Sequence, residues 1–308
     1  MIPISDSPAD GARGIFAVLV TYNPDPAKVA SLAALLRSQV ERVLVVDNGS
    51  ANAAALAAAC AALPAVTLLS LDSNTGIAHA QNAGVALARQ QGARYIVYFD
   101  QDSTPPAGFV ATLRRSFAAL SAHAKVAATV PVFRHARDGF YYPLILLRRF
   151  GLRTKIVPDG AGGAPFVISM AISSGTFTSI AVLDDVGPMR DDFFIDYVDT
   201  EWCLRALARG YTFYAVPDAS MLHAIGDHTM RLLRWRVPVH TAARRFYRIR
   251  NGFYMLRLAH VPLLLGLREV AFNCVHQVLM IATQRPRALQ VRVFARAVLA
   301  GLGRFQGR

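Results

Sequence analysis

The sequence predicts an α/β fold with a mixed, mostly parallel sheet flanked by helices, followed by an amphipathic helical region. Three observations carry that reading. Apolar runs of strand length alternate with helical patterns through roughly the first 100 residues; each run ends in polar or acidic residues; and positive charge collects in roughly the last 80 residues.

The elements follow in order. Ile15 to Val20, IFAVLV, is a continuous apolar run ending at Thr21-Tyr22-Asn23-Pro24, and Ala27 to Ser38 has helical periodicity. Val43 to Val46 is a second strand, closed by Asp47-Asn48-Gly49-Ser50 and followed by an alanine-rich helix to Ala62. Val66 to Leu69 leads to Asn74-Thr75-Gly76-Ile77 and a helix over Ala78 to Gln90. The fourth strand, YIVYF from Tyr95, runs into Asp100-Gln101-Asp102. Strands and helices alternating at this spacing form crossovers, which place the ligand site beyond the carboxyl ends of the strands.

Later, Pro165 to Ile172 is an apolar strand that ends at Ser173-Ser174-Gly175. Phe193 to Arg205 opens with an aromatic pair and three carboxylates, Asp196, Asp199 and Glu201. Thr200 is expected to cap a helix carrying Trp202, Leu204 and Leu207 inward and stopping at Gly210. Phe213 to Val216 is a further strand before Met221-Leu222-His223. Val261 to Leu267 and Val270 to Thr283 are apolar, with Arg268-Glu269 between them and Asn273, His276 and Gln277 within the second. A spanning helix needs about 20 largely uncharged residues, so these segments read as helices lying on a membrane or packed on the main domain.

Charge divides the chain. Beyond Asp227 there are 15 arginines and one acid, Glu269, so the formal total of +13 separates into +14 for the tail and −1 for the rest. Arginines interleaved with Leu, Val, Phe and Ala at helical spacing suit an anionic membrane surface better than a nucleic acid. The opening stretch MIPISDSPADGARG has no apolar run, so no signal peptide is expected and the main domain is expected to stay in the cytoplasm. Cys60, Cys203 and Cys274 are widely spaced and read as reduced packing residues. No GxGxxG follows the first strand and no GxxxxGK[ST] occurs, against a dinucleotide oxidoreductase and a P-loop NTPase.

The residues at the strand ends suggest the chemistry. Asp100 and Asp102 give two hard oxygen ligands at a sheet edge, suited to a divalent ion and the phosphates it neutralises. Tyr22, Asp47 and Asn74 share their rim: Tyr22 offers a face for a planar base, and Asp47 accepts from a base N–H. Asn74 and Gly76 open a helix whose amino terminus favours an anion. DNGS is equally an ordinary turn, and Asn74 equally a helix cap. Ser174 and Gly175 leave room for a sugar, or simply make a turn. Asp196, Asp199 and Glu201 are more carboxylates than capping requires.

TYNP, VVDNGS, NTGIAHAQNAG and FDQDS, in this order, resemble the inverting glycosyltransferases of family 2, over about residues 15 to 255. ISSG, FFIDYVDTEWCLRA, HAIGD and RFYRIRN resemble the bacterial rhamnosyltransferases of polysaccharide and rhamnolipid assembly. The resemblance implies a GT-A, Rossmann-like catalytic domain over residues 1–227, with a nucleotide-sugar half at about 15–105 and an acceptor half at about 106–227. Residues 228–308 would be the basic, membrane-associating region. It implies a general base at Asp199, where relatives carry Glu-Asp and this chain has Val198-Asp199, with Asp196 and Glu201 as rivals. It adds Gln101 to the nucleotide-sugar contacts, makes His223 a metal ligand with Asp100 and Asp102, and assigns Asp196, Arg250 and Asn251 to the acceptor or diphosphate.

The expected reaction is transfer of L-rhamnose from dTDP-L-rhamnose to a hydroxyl of a lipid-linked glycan, with Mn²⁺ or Mg²⁺, at the inner face of the bacterial inner membrane. A nucleic acid is not expected as a partner, and a homodimer is left open. The alternatives are a rhamnolipid-type transfer or another nucleotide sugar on the same fold, a silent membrane scaffold, and a haloacid-dehalogenase-like phosphatase, which FDQDST also fits.

Overall fold

The computed structural model of the chain describes residues 11–303 apart from 136–137, 161, 224–228, 233–234 and 239, with backbone alone between 223 and 239. Four strands and three helices alternate first: β1 (Ile15–Thr21), α1 (Pro26–Arg37), β2 (Arg42–Asp47), α2 (Ala53–Ala61), β3 (Val66–Ser70), α3 (Ile77–Gln90) and β4 (Tyr95–Asp100). β1 to β4 are rich in β-branched residues, and β1, β2 and β4 are almost wholly buried, as crossover helices covering both faces require. Every pairing among these four strands is parallel, in the order β3-β2-β1-β4.

The second half continues the same sheet. It runs through α4 (Phe109–Ser121), β5 (Val126–His135), the antiparallel hairpin β6 (Leu144–Leu147) and β7 (Arg153–Ile156), β8 (Phe166–Ile168), β9 (Phe177–Ser179), α5 (Ile180–Val186), α6 (Val198–Ala208) and β10 (Thr212–His223). Three-residue β9 lies antiparallel between β4 and β5, and β10 lies parallel to β5 and antiparallel to β8. The eight-stranded order is β3-β2-β1-β4-β9-β5-β10-β8. A two-stranded ribbon of β11 (Thr229–Leu232) and β12 (Trp235–Pro238) precedes three helices, α7 (Ala242–Leu256), α8 (Leu263–Thr283) and α9 (Arg287–Leu302).

Three expectations need correction. The strand expected over Pro165 to Ile172 has only Phe166–Ile168 in the sheet, because Ser169 and Met170 turn their N–H groups to Ile145 of the small hairpin. Thr200 is not a cap: α6 begins at Val198 behind Tyr197, which is left-handed at φ 64° and gives no side-chain cap. Arg268-Glu269 does not interrupt the C-terminal apolar run, since α8 is one helix of 21 residues, long and apolar enough by length and composition to cross a membrane. Arg268 points outward, whereas Glu269 is buried against Arg153 and Tyr197, so the pair fits on one continuous helix.

Candidate active site

A cleft of about 600 Å³ opens beside the end of β4. Asp100 reaches it from the end of β4, Ser173 from the segment between β8 and β9, Asp196 from the loop before α6 and Asp199 from α6 itself. Arg153 of β7, Arg244 and Arg248 of α7 and Glu269 of α8 form its far wall.

Asp199 stands in the first turn of α6. Burial pushes its carboxyl up to about 6, against two hydrogen bonds from the hydroxyl and backbone N–H of Ser173. Gln81, buried on α3, donates to the Ser173 hydroxyl at 2.8 Å, so a side chain of the nucleotide half fixes the partner of Asp199. Burial, then the charges of Asp199 and Asp102, push Asp100 up to about 7. A cleft whose carboxylates raise one another is complementary to a cation.

The rivals of Asp199 are otherwise engaged. Both oxygens of Asp196 accept from the Arg244 guanidinium at 3.2 Å, and Arg248 lies 3.5 Å away. Glu201 is fully buried, meeting Arg205 at 2.8 Å and His260 at 2.9 Å, and does not line the cleft. Burial favours its neutral form, but the hydrogen bonds from His260 and Arg205 outweigh that and hold its carboxyl below the usual range. Glu201 therefore has a structural role, contrary to the expectation that made it a candidate base.

The rim residues lie where parallel strands would deliver them. Tyr22 is exposed just past β1, and its backbone N–H donates to Oε1 of Gln101 at 2.8 Å. Asp47 is the last residue of β2 and fully buried; it accepts from the Ser50 hydroxyl, from Ser50 N–H at 3.3 Å and from Thr21 at 3.4 Å. Oδ1 of Asn74 accepts from Asn48 at 3.1 Å and from Gly76 N–H at 3.0 Å. These bonds brace the rim loops: DNGS is a turn as its bland reading has it, whereas Asn74 is not a helix cap, since α3 starts behind Gly76 with no side-chain cap. Gly76, at φ 92°, is pressed against Phe194 of the acceptor half, where a Cβ would lie 2.6 Å from the carbonyl oxygen.

A divalent ion would be held by Asp100 and the exposed Asp102. Two hard carboxylates at a loop edge, one of them destabilised by its neighbours' charge, are a fitting donor set. The His223 side chain lies outside the described residues, as does most of HAIGD. Its backbone ends β10, and the neighbouring Leu222 bridges to Thr104, two residues beyond Asp102.

Four assignments change. Ser174 is fully buried, and its hydroxyl meets that of Ser103 at 2.8 Å, which in turn accepts from Asp100 N–H. Gly175 packs against Pro131 and Phe109, where a Cβ would meet ring atoms at 2.7 and 3.1 Å. Ser174 therefore supports the Asp100 loop, Gly175 is packed in the core, and Ser173 is the one that faces the cleft. Arg250 donates to the carbonyls of Asp192 and Phe193 and lies over Tyr247 and Tyr254, while Asn251 donates to the carbonyls of Phe193, Ile195 and Asp196 at 2.8 to 3.0 Å. They hold the loop that presents Asp196 and do not line the cleft.

The sequence reading missed the cleft arginines. Arg244 and Arg248 are spaced i, i+4 on α7, a signal that was available; Arg153 sits on a four-residue strand without a recognisable pattern.

Comparison with known proteins gives the family and the fold. The model of the family Glycosyl transferase family 2 matches residues 17–170. The dTDP-rhamnosyl transferase RfbF of Shigella flexneri is 42% identical over 289 residues, covering 94% of this chain and 95% of that protein. Two solved structures share the fold. GalNAc-T7 with UDP, GalNAc and Mn²⁺ has a TM-score of 0.57 at 14% identity, over 88% of this chain and 58% of that one. S. aureus TarS 1-349 with UDP-GlcNAc has a TM-score of 0.52 at 12% identity, over 93% of this chain and 81% of that one.

Proposed function

We propose, from the premise that this chain belongs to glycosyl transferase family 2, that it transfers L-rhamnose from dTDP-L-rhamnose to a hydroxyl of a lipid-linked glycan during cell-surface polysaccharide synthesis. The likeness to RfbF along nearly the whole of both chains supports the donor. The observation that carries the mechanism is the meeting of Asp100, at the end of β4, and Asp199, in the first turn of α6, at one cleft.

In this reading dTDP lies along the β1, β2 and β3 rim with its base beside Tyr22, and its diphosphate reaches Asp100 and Asp102. A divalent ion held there, Mn²⁺ or Mg²⁺, would neutralise the diphosphate and the charge that grows on it as it leaves. The acceptor enters the cleft beneath Arg244 and Arg248. Its hydroxyl proton passes to Asp199 as the oxygen bonds to the anomeric carbon, on the face opposite the breaking bond to the diphosphate. The sugar inverts and dTDP departs. Ser173 and Gln81 hold the Asp199 carboxylate in line for that transfer.

Residues 1–227 form the catalytic part in this reading, and 228–308 a basic region that rests on the inner face of the bacterial inner membrane. The arginine content of that region supports such a contact.

Calorimetry with a panel of nucleotide sugars, with and without Mn²⁺, tests the donor. The expected result is metal-dependent binding of dTDP-L-rhamnose that Asp102→Ala abolishes. Preference for a UDP- or GDP-sugar would leave the fold and mechanism standing and sink the rhamnosyl assignment, and transfer to a glycolipid in place of a lipid-linked glycan would move the acceptor to the rhamnolipid type.

A further inference from the structure

The outer surface of α8 is built the wrong way round for a helix facing water. Glu269, Asn273 and Gln277, spaced i, i+4, i+8, are buried and turned inward. Glu269 accepts from the Tyr197 hydroxyl at 2.8 Å, Asn273 donates to the same hydroxyl at 2.8 Å, and Gln277 accepts from Arg245 at 2.9 Å. The opposite stripe, with Leu264, Leu267, Val275 and Val278, is exposed. Each of these three side chains hydrogen-bonds within the protein, Asn273 through its Nδ2 alone, so the apolar face is what the helix offers to its surroundings.

A second exposed apolar group adjoins it. The turn of the β6–β7 hairpin carries Phe150, 64% exposed, and Leu152, 60% exposed. Phe150 is left-handed at φ 63°, a conformation a bulky L residue adopts only at a cost, and its ring lies beneath Arg149 instead of in the core. Gly151 beside it approaches the start of α8 so closely that a Cβ would sit 2.7 Å from Pro262 and 3.1 Å from Leu265. The hairpin tip and the amino-terminal end of α8 thus form one surface, bordered by Arg149 and Arg268.

We infer that this joint surface is an anionic-bilayer docking face, and that the β6–β7 hairpin, within the catalytic part, inserts its tip at the lipid interface beside α8. Apolar and aromatic groups ringed by arginines, with no exposed acid among the residues named, complement an interface of acyl chains under anionic headgroups. The inner sides of the same two elements wall the cleft, through Leu144, Ile145 and Arg153 of the hairpin and Glu269 of α8. Docking would therefore bring the acceptor cleft to the membrane from which a lipid-linked acceptor comes. The inference deepens the membrane reading above and extends it beyond residues 228–308.

The test is flotation of the full chain with vesicles of phosphatidylcholine alone or with phosphatidylglycerol, at low and high salt. Two double variants are compared, Phe150→Asp with Leu152→Asp, and Leu264→Asp with Leu267→Asp. Asp tolerates the left-handed position at 150, so the tip variant is expected to fold, which its thermal transition reports. The expected result is salt-sensitive binding to the anionic vesicles, weakened about tenfold or more by either double variant. Nucleotide-sugar binding in solution is measured on the same proteins and should be unchanged; its absence from the wild type would count against the transferase reading and not against this one. Failure of the wild-type chain to bind vesicles overturns the inference, as does undiminished binding by the tip variant. A wild-type dimer in light scattering that either double variant splits would also overturn it, by assigning the face to a second copy of the chain.

Discussion

Burial and then the charge of Asp199 raise the carboxyl of Asp100, although Asp100 ends β4 in the first half of the chain and Asp199 opens α6 in the second. One carboxylate suits a cation and the other a proton. In the proposed mechanism this arrangement sets an ion site beside a base.

Asp199 must be ionised to accept a proton, and its carboxyl is pushed up to about 6. Turnover is therefore full above that value and falls about tenfold per pH unit below it. A cation bound beside Asp100 favours the ionised form and moves this acid limb lower, never higher. A pH–rate profile at saturating metal that fell with rising pH in the same region would contradict the assignment.

Asn251 satisfies the carbonyls of three residues in the loop bearing Asp196, so its work is structural. Asn251→Ala is expected to cost roughly 2–4 kcal/mol, the sum of several hydrogen bonds lost to buried groups. Thermal unfolding should show that loss while donor affinity at low temperature stays near wild type. A stable protein with weakened donor binding would restore the diphosphate role implied by the family resemblance.

At Gly76 the two halves meet. Its φ of 92° and the carbonyl oxygen of Phe194, 2.6 Å from where a Cβ would stand, leave no room for a side chain. Ile77 N–H donates to that same carbonyl at 2.7 Å. Gly76→Ala should destabilise the chain by about 1–3 kcal/mol or more and lower turnover by shifting the 193–197 loop. A melting temperature matching wild type would show that the contact is loose.

Glu201 is buried against Arg205 and His260, and its folded-state carboxyl lies below the ordinary value. Stability from such a group is fully present above the unfolded-state value and is lost as pH falls through the folded-state one. Glu201→Gln should cost roughly 3–5 kcal/mol near neutrality, by weakening the bonds of a fully buried group to the partly buried Arg205 and His260, and should flatten the decline of stability on acidification. Denaturant titrations from neutral pH downward measure both effects.

Much of this was readable from the chain. β1, β2 and β4 were legible because both faces of a parallel sheet are buried there, leaving unbroken apolar runs that end at Tyr22, Asp47 and Asp100–Asp102, while the half-buried edge strand β3 showed through its place in the strand–helix alternation. The short pieces β6, β7 and β9 have three or four residues each, too few for a period to show. The SSG run was misassigned by one residue: Ser173 faces Asp199 whereas Ser174 turns into the core, and small polar residues give no sign of which does which. On α7 nearly every face carries an arginine or an aromatic ring, so hydropathy could not separate Arg244 and Arg248, which face the cleft, from Arg250, which grips the loop below. The haloacid-dehalogenase alternative gives way to the family assignment, and FDQDST stands on β4, beside β1, instead of on the first strand.

The most direct test of the account is single-turnover transfer by Asp199→Asn, measured alongside donor binding. The account predicts turnover lower by about 10²–10⁴-fold with nucleotide-sugar affinity little changed, because the amide keeps the shape of the carboxylate and cannot take the proton. Near-normal turnover in Asp199→Asn would move the base elsewhere and contradict the mechanism.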